Sequence, residues 1–379
     1  MNYRMLVAVL MALLIIPMTA RASETDAVPK NVIIMIGDGM SVGQVTAARV
    51  VKGSLQLERC PVGGFSATHS ADRLVTDSAA GGTALATGQR TNNHMVGMTP
   101  DGAPAKTLLE HAEDAGKSTG IVVTCAVTHA TPATFVAHVD DRGKQTEIAE
   151  QIAAGNVDVV LGGGQQFFMP QSSKGSKRKD DKDLIAALRE RMPLALSADE
   201  LRALGDVDSF AGLLAMDYLG WAADRNPPLR EMVSLALNAL SKNPNGFALM
   251  VEGSHIDWAA HANEEARLLG EMTDFDDAIG AALDFAEADG NTLVVVTADH
   301  DTGGYTPLDG SLADKSVTKG AFVGDDHTAI MVPVFAYGPG ADAFGGIHDN
   351  RAIGEALIGF VQQAAAEAPA EGALAGAAP

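Results

Sequence analysis

The chain has 379 residues, of which 46% are hydrophobic, 5% aromatic and 20% charged, a composition that can bury a large core and that excludes general disorder. Its formal net charge of −21 excludes nucleic-acid binding through backbone phosphates, and any site that handles phosphate must reverse this field locally, with metal ions or a placed Arg. The 40 Gly and 16 Pro follow neither a G-X-Y period nor a longer repeat, which argues against collagen-like, solenoid and propeller architectures.

Residues 1–22 read as a secretion signal: Arg4 precedes an apolar stretch from Met5 to Met18, and Ala20-Arg21-Ala22 supplies a small-residue cleavage pattern before Ser23. The apolar stretch is shorter than the roughly 20 residues that span a bilayer, so we expect a periplasmic or secreted bacterial protein with no membrane span in its mature form. Cys60 and Cys125 are the two cysteines. They could form a single disulfide, which is no framework for a chain of this length, and the favoured reading is two unpaired, buried thiols.

Short Val/Ile/Leu-rich runs alternate with Ala-rich stretches of helical spacing. Strands are predicted at Asn31–Ile36, Gly120–Cys125, Val157–Leu161, Gly246–Val251, Thr292–Thr297 and Ala329–Ala336. Helices are predicted at Gln44–Val51, Lys106–Ala115, Gln145–Ala154, Leu229–Ser241, Glu264–Ala288 and Asn350–Ala366. This alternation predicts an α/β fold: a doubly wound, mostly parallel central sheet with helices on both faces, forming a single domain over residues 23–362. Three segments read as peripheral: the basic stretch Lys174–Asp183 as a solvated loop, the turn-rich Thr306–Gly320, and a disordered Ala/Gly/Pro-rich tail over residues 363–379.

Asp38, His129, Glu252, Asp299 and His300 all fall just beyond or at the carboxyl ends of predicted strands, where open α/β sheets bind ligands. Asp38 in NVIIMIGDGM can bridge two cations, although Gly-Asp-Gly is also an ordinary turn. Ser78 in VTDSAAGGTALATG follows Asp77 and opens a small-residue helix; it is either a nucleophile favoured by the helix N-terminus or part of a plain Asp/Ser cap. No GxSxG elbow is present, so activation of Ser78 would require a metal. His129, Thr131 and Arg142 lie in VTHATPATFVAHVDDRG; Thr131 offers a hard oxygen for magnesium and Arg142 a fork for phosphate oxygens. Asp257 and His261 in VEGSHIDWAAHANEE share one face of a predicted helix, a workable half-site for zinc, with Glu252 just before it. Asp299 and His300 end the LVVVTADHDTGGYT run, and Asp301 is read as orienting that loop. His327 in GDDHTAIMVP completes the set. His255 reads as a surface or supporting residue, and His138 as packing.

The motifs IGDGM, DSAAGGTA, THATPA, VEGSHID, TADHDTGG and HTA, in this order from Asn31 to about Gly340, resemble those of the alkaline phosphatases. The resemblance implies two Zn²⁺, one held by Asp257, His261 and His327 and the other by Asp38, Asp299 and His300. It also implies Mg²⁺ at Asp38, Thr131 and Glu252, with Ser78 as nucleophile, Arg142 gripping the phosphate and Asp77 beside them. Some members carry Asp and Lys where this chain has His129 and Trp258; the His/Trp pair looks like that of marine bacterial enzymes and makes His129 a supporting residue of the third site. The implied function is metal-dependent hydrolysis of small phosphate monoesters through a phosphoserine, with broad specificity. A homodimer, usual in the family, is compatible with the chain. The competing readings are a phosphodiesterase or phosphonohydrolase of the same superfamily, and an inactive exported zinc- or phosphate-binding protein.

Overall fold

The computed structural model describes residues 28–367; the expected secretion signal and residues 368–379 lie outside the described residues. In chain order the elements are β1 (Asn31–Gly37), α1 (Val42–Lys52), β2 (Val62–Ala67), α2 (Ser78–Thr87), α3 (Leu108–Asp114), β3 (Ser118–Ala126), α4 (Ala130–Val136), α5 (Gln145–Ala154), β4 (Val159–Gly163), α6 (Gln165–Phe168), α7 (Leu184–Arg191), β5 (Leu194–Ala195), α8 (Ala198–Ala203), β6 (Phe210–Leu213), α9 (Leu229–Leu240), β7 (Phe247–Gly253), α10 (His255–His261), α11 (Glu265–Asp289), β8 (Thr292–Thr297), β9 (Asp301–Thr302), β10 (Thr306–Ser311), β11 (Ser316–Ala321), β12 (His327–Thr328), β13 (Val332–Tyr337), β14 (Gly346–Asp349) and α12 (Asn350–Glu367).

Ten strands form one sheet in the order β14-β2-β13-β8-β1-β7-β3-β4-β6-β5. It is mostly parallel; β13 runs antiparallel to both β2 and β8. The central strand β1, NVIIMIG, is buried at every position, as a parallel strand covered on both faces must be. Its alternate side chains feed two cores. Val32, Ile34 and Ile36 pack with Leu85 of α2, Phe135 of α4 and Leu357 of α12, while Ile33 and Met35 pack with Val233 of α9 and Phe275 and Leu283 of α11. The predicted doubly wound architecture is therefore the one observed.

The differences from the sequence reading have local causes. The strand expected at Ala329–Ala336 begins only at Val332, because His327–Thr328 first pairs with Asp301–Thr302 in a separate ribbon and residues 329–331 must cross from it into the sheet. Strand β2, VGGFSA, carries two glycines and little apolar alternation, so it gave no signal, yet it bridges β13 and β14. Thr306–Gly320 is not simply turn-rich but largely the antiparallel hairpin β10–β11. In the basic stretch, Arg178 is 4% exposed and clasped by Glu150 at 2.6 Å and Asp180 at 2.7 Å, so a solvated loop does not describe it. Helix α12 runs to Glu367, which makes residues 363–367 helical rather than part of a disordered tail. Cys60 and Cys125 are both free thiols; Cys125 is buried and Cys60 half-buried.

Candidate metal and nucleophile site

Register brings the chemistry to one end of the sheet. Ile36 of β1 aligns with Glu252 of β7 and Thr297 of β8, and Glu252 aligns with Val123 of β3. The residues just past these positions, Asp38, Ser254 to Asp257 and Asp299, therefore emerge together at the carboxyl edge. Gly39 has φ +68°, and a Cβ there would lie 2.6 Å from Thr302 Oγ1 and 3.0 Å from Asp257 Oδ1; the Gly that follows Asp38 is what lets its turn press against the site.

Asp257, His261 and His327 form one trio whose ligand atoms lie within 4.8 Å of one another. Asp257 and His261 are four apart on α10, and His261 Nε2 is 3.3 Å from Asp257 Oδ1. His327 Nε2 is 3.7 Å from that oxygen and 3.2 Å from His261 Nε2. The Nδ1 atoms face backbone carbonyls, that of Asp325 at 2.6 Å for His261 and that of Thr76 at 2.9 Å for His327. An imidazole that donates from Nδ1 presents a lone pair at Nε2, so two lone pairs and a carboxylate oxygen converge on one point. That point suits a cation.

Asp38, Asp299 and His300 form a second trio, fully buried. His300 Nε2 is 3.4 Å from Asp38 Oδ1 and 3.3 Å from Asp299 Oδ2. Backbone N–H groups of Gly39 and His300 donate to Asp299 Oδ1 at 3.3 and 3.1 Å, which leaves Oδ2 free. The rings of His300 and His327 stack with centroids 3.6 Å apart, so the two trios share a wall. Ser78 Oγ lies 3.1 Å from His300 Nε2, beside the second trio and close to the first.

Ser78 is held there by the helix it begins. Asp77 caps α2 by accepting from Ala80 N at 3.0 Å. Every residue of α2, SAAGGTALAT, is buried, and the small residues permit backbone contact: a Cβ on Gly81 would come 2.7 Å from Asp299 O. Asp77 also accepts from His94 N at 3.2 Å and from Arg142 Nη1 at 3.0 Å. Burial pushes its carboxyl up, but the Arg142 guanidinium and these N–H donors outweigh that and hold it below the ordinary carboxylate range.

The charge balance of the cluster is unfavourable as it stands. Burial, with Asp299, Asp257 and Glu252 adding to it, raises Asp38 well above the usual carboxylate range. Burial likewise lifts Asp299 and pushes Glu252 up to about 7. His300 is held far below the ordinary imidazole value by burial and by His327. Both Asp38 oxygens, Asp299 Oδ2, Glu252 Oε1, Thr131 Oγ1 and His129 Nδ1 are buried without a hydrogen-bond partner in the protein. Buried polar atoms are normally satisfied, and acceptor-rich orphans beside crowded carboxylates fit cations. The oxygen set of Asp38, Thr131 and Glu252 is of the hard kind that suits magnesium.

Around the third group, His129 lies edge-on to Trp258 with centroids 5.6 Å apart, and Trp258 stacks on His255 at 4.4 Å. His129 is neutral, lowered to about 3 by burial and by Arg142. His255 is not a surface residue: it is 1% exposed, and its Nδ1 accepts from Arg225 Nη2 at 3.1 Å. Asp301 accepts from Gly304 N and Thr328 Oγ1, consistent with orienting its loop. Two buried residues escaped the sequence reading. Thr302 Oγ1 donates to Asp257 Oδ1 and faces His300 Nδ1 at 3.2 Å, and Gln44 Nε2 donates to both Gly39 O and Thr302 O at 3.2 Å. Gln44 could have been noticed as a lone amide on the apolar face of a predicted helix.

The alkaline phosphatase family matches residues 29–321 of this chain. Alkaline phosphatase 4 of Bacillus subtilis is 33% identical over 417 residues, covering 87% of this chain and 88% of its own length. The alkaline phosphatase of the Antarctic bacterium TAB5 superposes with a TM-score of 0.82 at 36% identity, covering 89% of this chain and 99% of that one; a His-to-Asp variant of it has Mg bound in its M3 site. The Thermus thermophilus alkaline phosphatase superposes with a TM-score of 0.81 at 26% identity, over 90% and 92% of the two chains.

Proposed function

This chain belongs to the alkaline phosphatase family and is a phosphoric monoester hydrolase, and from that premise we propose that it acts through a phosphoserine formed on Ser78. Asp257, His261 and His327 would hold one Zn²⁺, Asp38, Asp299 and His300 a second, and Asp38, Thr131 and Glu252 an Mg²⁺. When bound, these ions supply Lewis acidity at the ester and hydroxyl oxygens and neutralise the crowded carboxylates. The observation that carries the reading is the position of Ser78 Oγ, 3.1 Å from His300 Nε2, beside two trios joined by stacked imidazoles.

The chain's own groups then divide the work. Asp77 and the backbone packing of α2 fix Ser78 at a helix N-terminus, where exposed N–H groups and the dipole favour an arriving phosphoryl group. Arg142, anchored by Asp77, directs its remaining N–H donors at two non-bridging phosphate oxygens. Ser78 Oγ forms a bond to phosphorus as the ester oxygen leaves in line. Water then displaces Ser78 from the opposite side, so configuration at phosphorus is retained overall. The groups identified address phosphate and metals and none addresses the alcohol, which supports broad specificity.

The place of His129 bears on the third ion. In the TAB5 enzyme, variants that replace a His by Asp or by Glu have Mg bound in the M3 site, and we propose that His129 of this chain, beside Thr131, tunes magnesium occupancy. Periplasmic or secreted location rests on the segment from Arg4 to Ala22. No helix among the described residues is long and apolar enough to cross a membrane.

The test is steady-state hydrolysis of an aryl phosphate monoester and the matching diester by the zinc- and magnesium-loaded protein, with Ser78→Ala alongside. We expect a large monoester preference and a loss of at least about 10³-fold in the variant. A diester preference would move the function to a phosphodiesterase, and a near-wild-type rate in the variant would remove Ser78 as nucleophile.

A further inference from the structure

We infer that Thr302 is a positioning residue that orients ligands of both zinc groups with a single hydroxyl. The inference rests on the reading above, that the two trios bind zinc, and it concerns a side chain that is itself no ligand.

Thr302 is fully buried and meets one side chain of each trio. Its hydroxyl meets Asp257 Oδ1 on one side and His300 Nδ1, at 3.2 Å, on the other. Its backbone N–H donates to Gly39 O at 3.1 Å, the residue next to Asp38. As half of β9 it pairs with His327 across the short ribbon to β12. Its carbonyl accepts from Gln44 Nε2, whose other proton goes to Gly39 O.

The hydroxyl contacts can be arranged in only one direction. A carboxylate only accepts, so the one hydroxyl proton of Thr302 goes to Asp257, and the oxygen is left to accept from His300 Nδ1–H. That fixes the tautomer of His300, with the Nε2 lone pair aimed at Asp38, Asp299 and Ser78. It also fixes which oxygen of Asp257 is occupied by a hydrogen bond as it faces His261 and His327. The two zinc groups thus share one oriented hydrogen-bond chain, Asp257 to Thr302 to His300. Loss of the hydroxyl leaves a buried carboxylate oxygen and a buried imidazole N–H without partners at the same time, one in each group.

Partners of metal ligands typically account for about 10- to 100-fold in affinity. The test uses the full mature chain as wild type, Thr302→Val and Thr302→Ser, equilibrated against chelator-buffered zinc, with bound zinc per chain measured by metal analysis. We expect two zinc-loading steps in the wild type. In Thr302→Val both steps should move about 10- to 100-fold to higher free zinc, and Thr302→Ser should restore both to within about threefold of wild type. If Thr302→Val does not fold, as judged by circular dichroism in chelator, Thr302→Ala takes its place, since a smaller side chain meets no clash with Gly39. A shift in one step alone, or in neither, overturns the assignment. A wild-type chain that loads fewer than two zincs overturns the zinc reading of the trios, and this inference with it, so the two failures are told apart by the wild-type curve.

Discussion

Asp77 has two roles that a single substitution can separate. Its carboxylate caps α2 through Ala80 N at 3.0 Å and anchors Arg142 Nη1, also at 3.0 Å. Asn caps helices as well as Asp does, so Asp77→Asn should retain the cap while removing the charge that holds the guanidinium. Immobilising a long, rotamer-rich side chain on binding costs about 0.5–1.5 kcal/mol. Without the anchor, that ordering falls to the phosphate-binding step, and inhibition by inorganic phosphate should weaken by about 2- to 12-fold. Arg142→Ala loses the charge-assisted hydrogen bonds themselves, about 1.5–3 kcal/mol, and should weaken inhibition by about 10- to 150-fold. Asp77→Ala should match Asp77→Asn in inhibition and also lose about 1 kcal/mol of stability with the cap. The assay is the competitive Ki of phosphate together with Tm for the four proteins, all metal-loaded. If Asp77→Asn leaves Ki unchanged while Asp77→Ala lowers Tm, Asp77 is a cap only and the anchoring argument is wrong.

Removal of bound metal should lower Tm, since each ion held at about 1,000 times its Kd stabilises by about 4 kcal/mol; an unchanged Tm in excess chelator would show that the trios are not metal sites. His138 has acceptors on both nitrogens, Gly97 O at 2.5 Å and Glu110 Oε1 at 3.0 Å, and the hydrogen bond to Glu110 raises it above its usual 6.5. Because its folded value is the higher one, its stabilisation is complete below pH 6.5 and is lost as pH rises through the raised value. Chemical denaturation midpoints should therefore fall on the alkaline side in the wild type, and His138→Gln should remove that component of the fall. Burial pushes the Cys60 thiol up to about 12 and raises Cys125 well above its usual value. A thiol reagent at neutral pH should find neither cysteine rapidly in the native protein and both after unfolding; prompt native labelling would contradict the burial.

The site was legible where chemistry coincided with a position that sequence patterns reveal. Asp38, Asp299 and His300 sit at the ends of buried apolar runs, and Asp257 and His261 keep the i,i+4 spacing of a helix face, so residue type and location pointed the same way. Thr302 lay inside a motif that was singled out, but a threonine next to charged ligands carries no signal of its own. Its role follows from the ribbon between β9 and β12, which residues 301–302 and 327–328 are too short to announce. The solvated-loop reading of Arg178 and the surface alternative for His255 fail for a related reason. Each of these residues is polar and sits in a polar-looking segment, and its burial depends on a distant partner, Glu150 or Arg225, that local sequence does not connect to it. The sheet core was readable from apolar runs, whereas β2 owes its place to pairing with β13, and β14 to pairing with β2.

The placement of β1 also dictates an order of events. Its neighbours are β7 and β8, and the hydrogen bond from Gly39 N to Asp299 spans 260 residues of chain. Strand β1, the first in chain order among the described residues, consequently waits without its two neighbours until β7 and β8 have followed it. Contacts of such separation are slow to close. The grouping of Asp38 with Asp299 and His300 depends on that closure, and so does the packing of α2 on Asp299 that seats Ser78. A chain that stops short of β8 thus cannot assemble this cluster, and hydrolytic activity should double as a report that the last third of the polypeptide has arrived and folded.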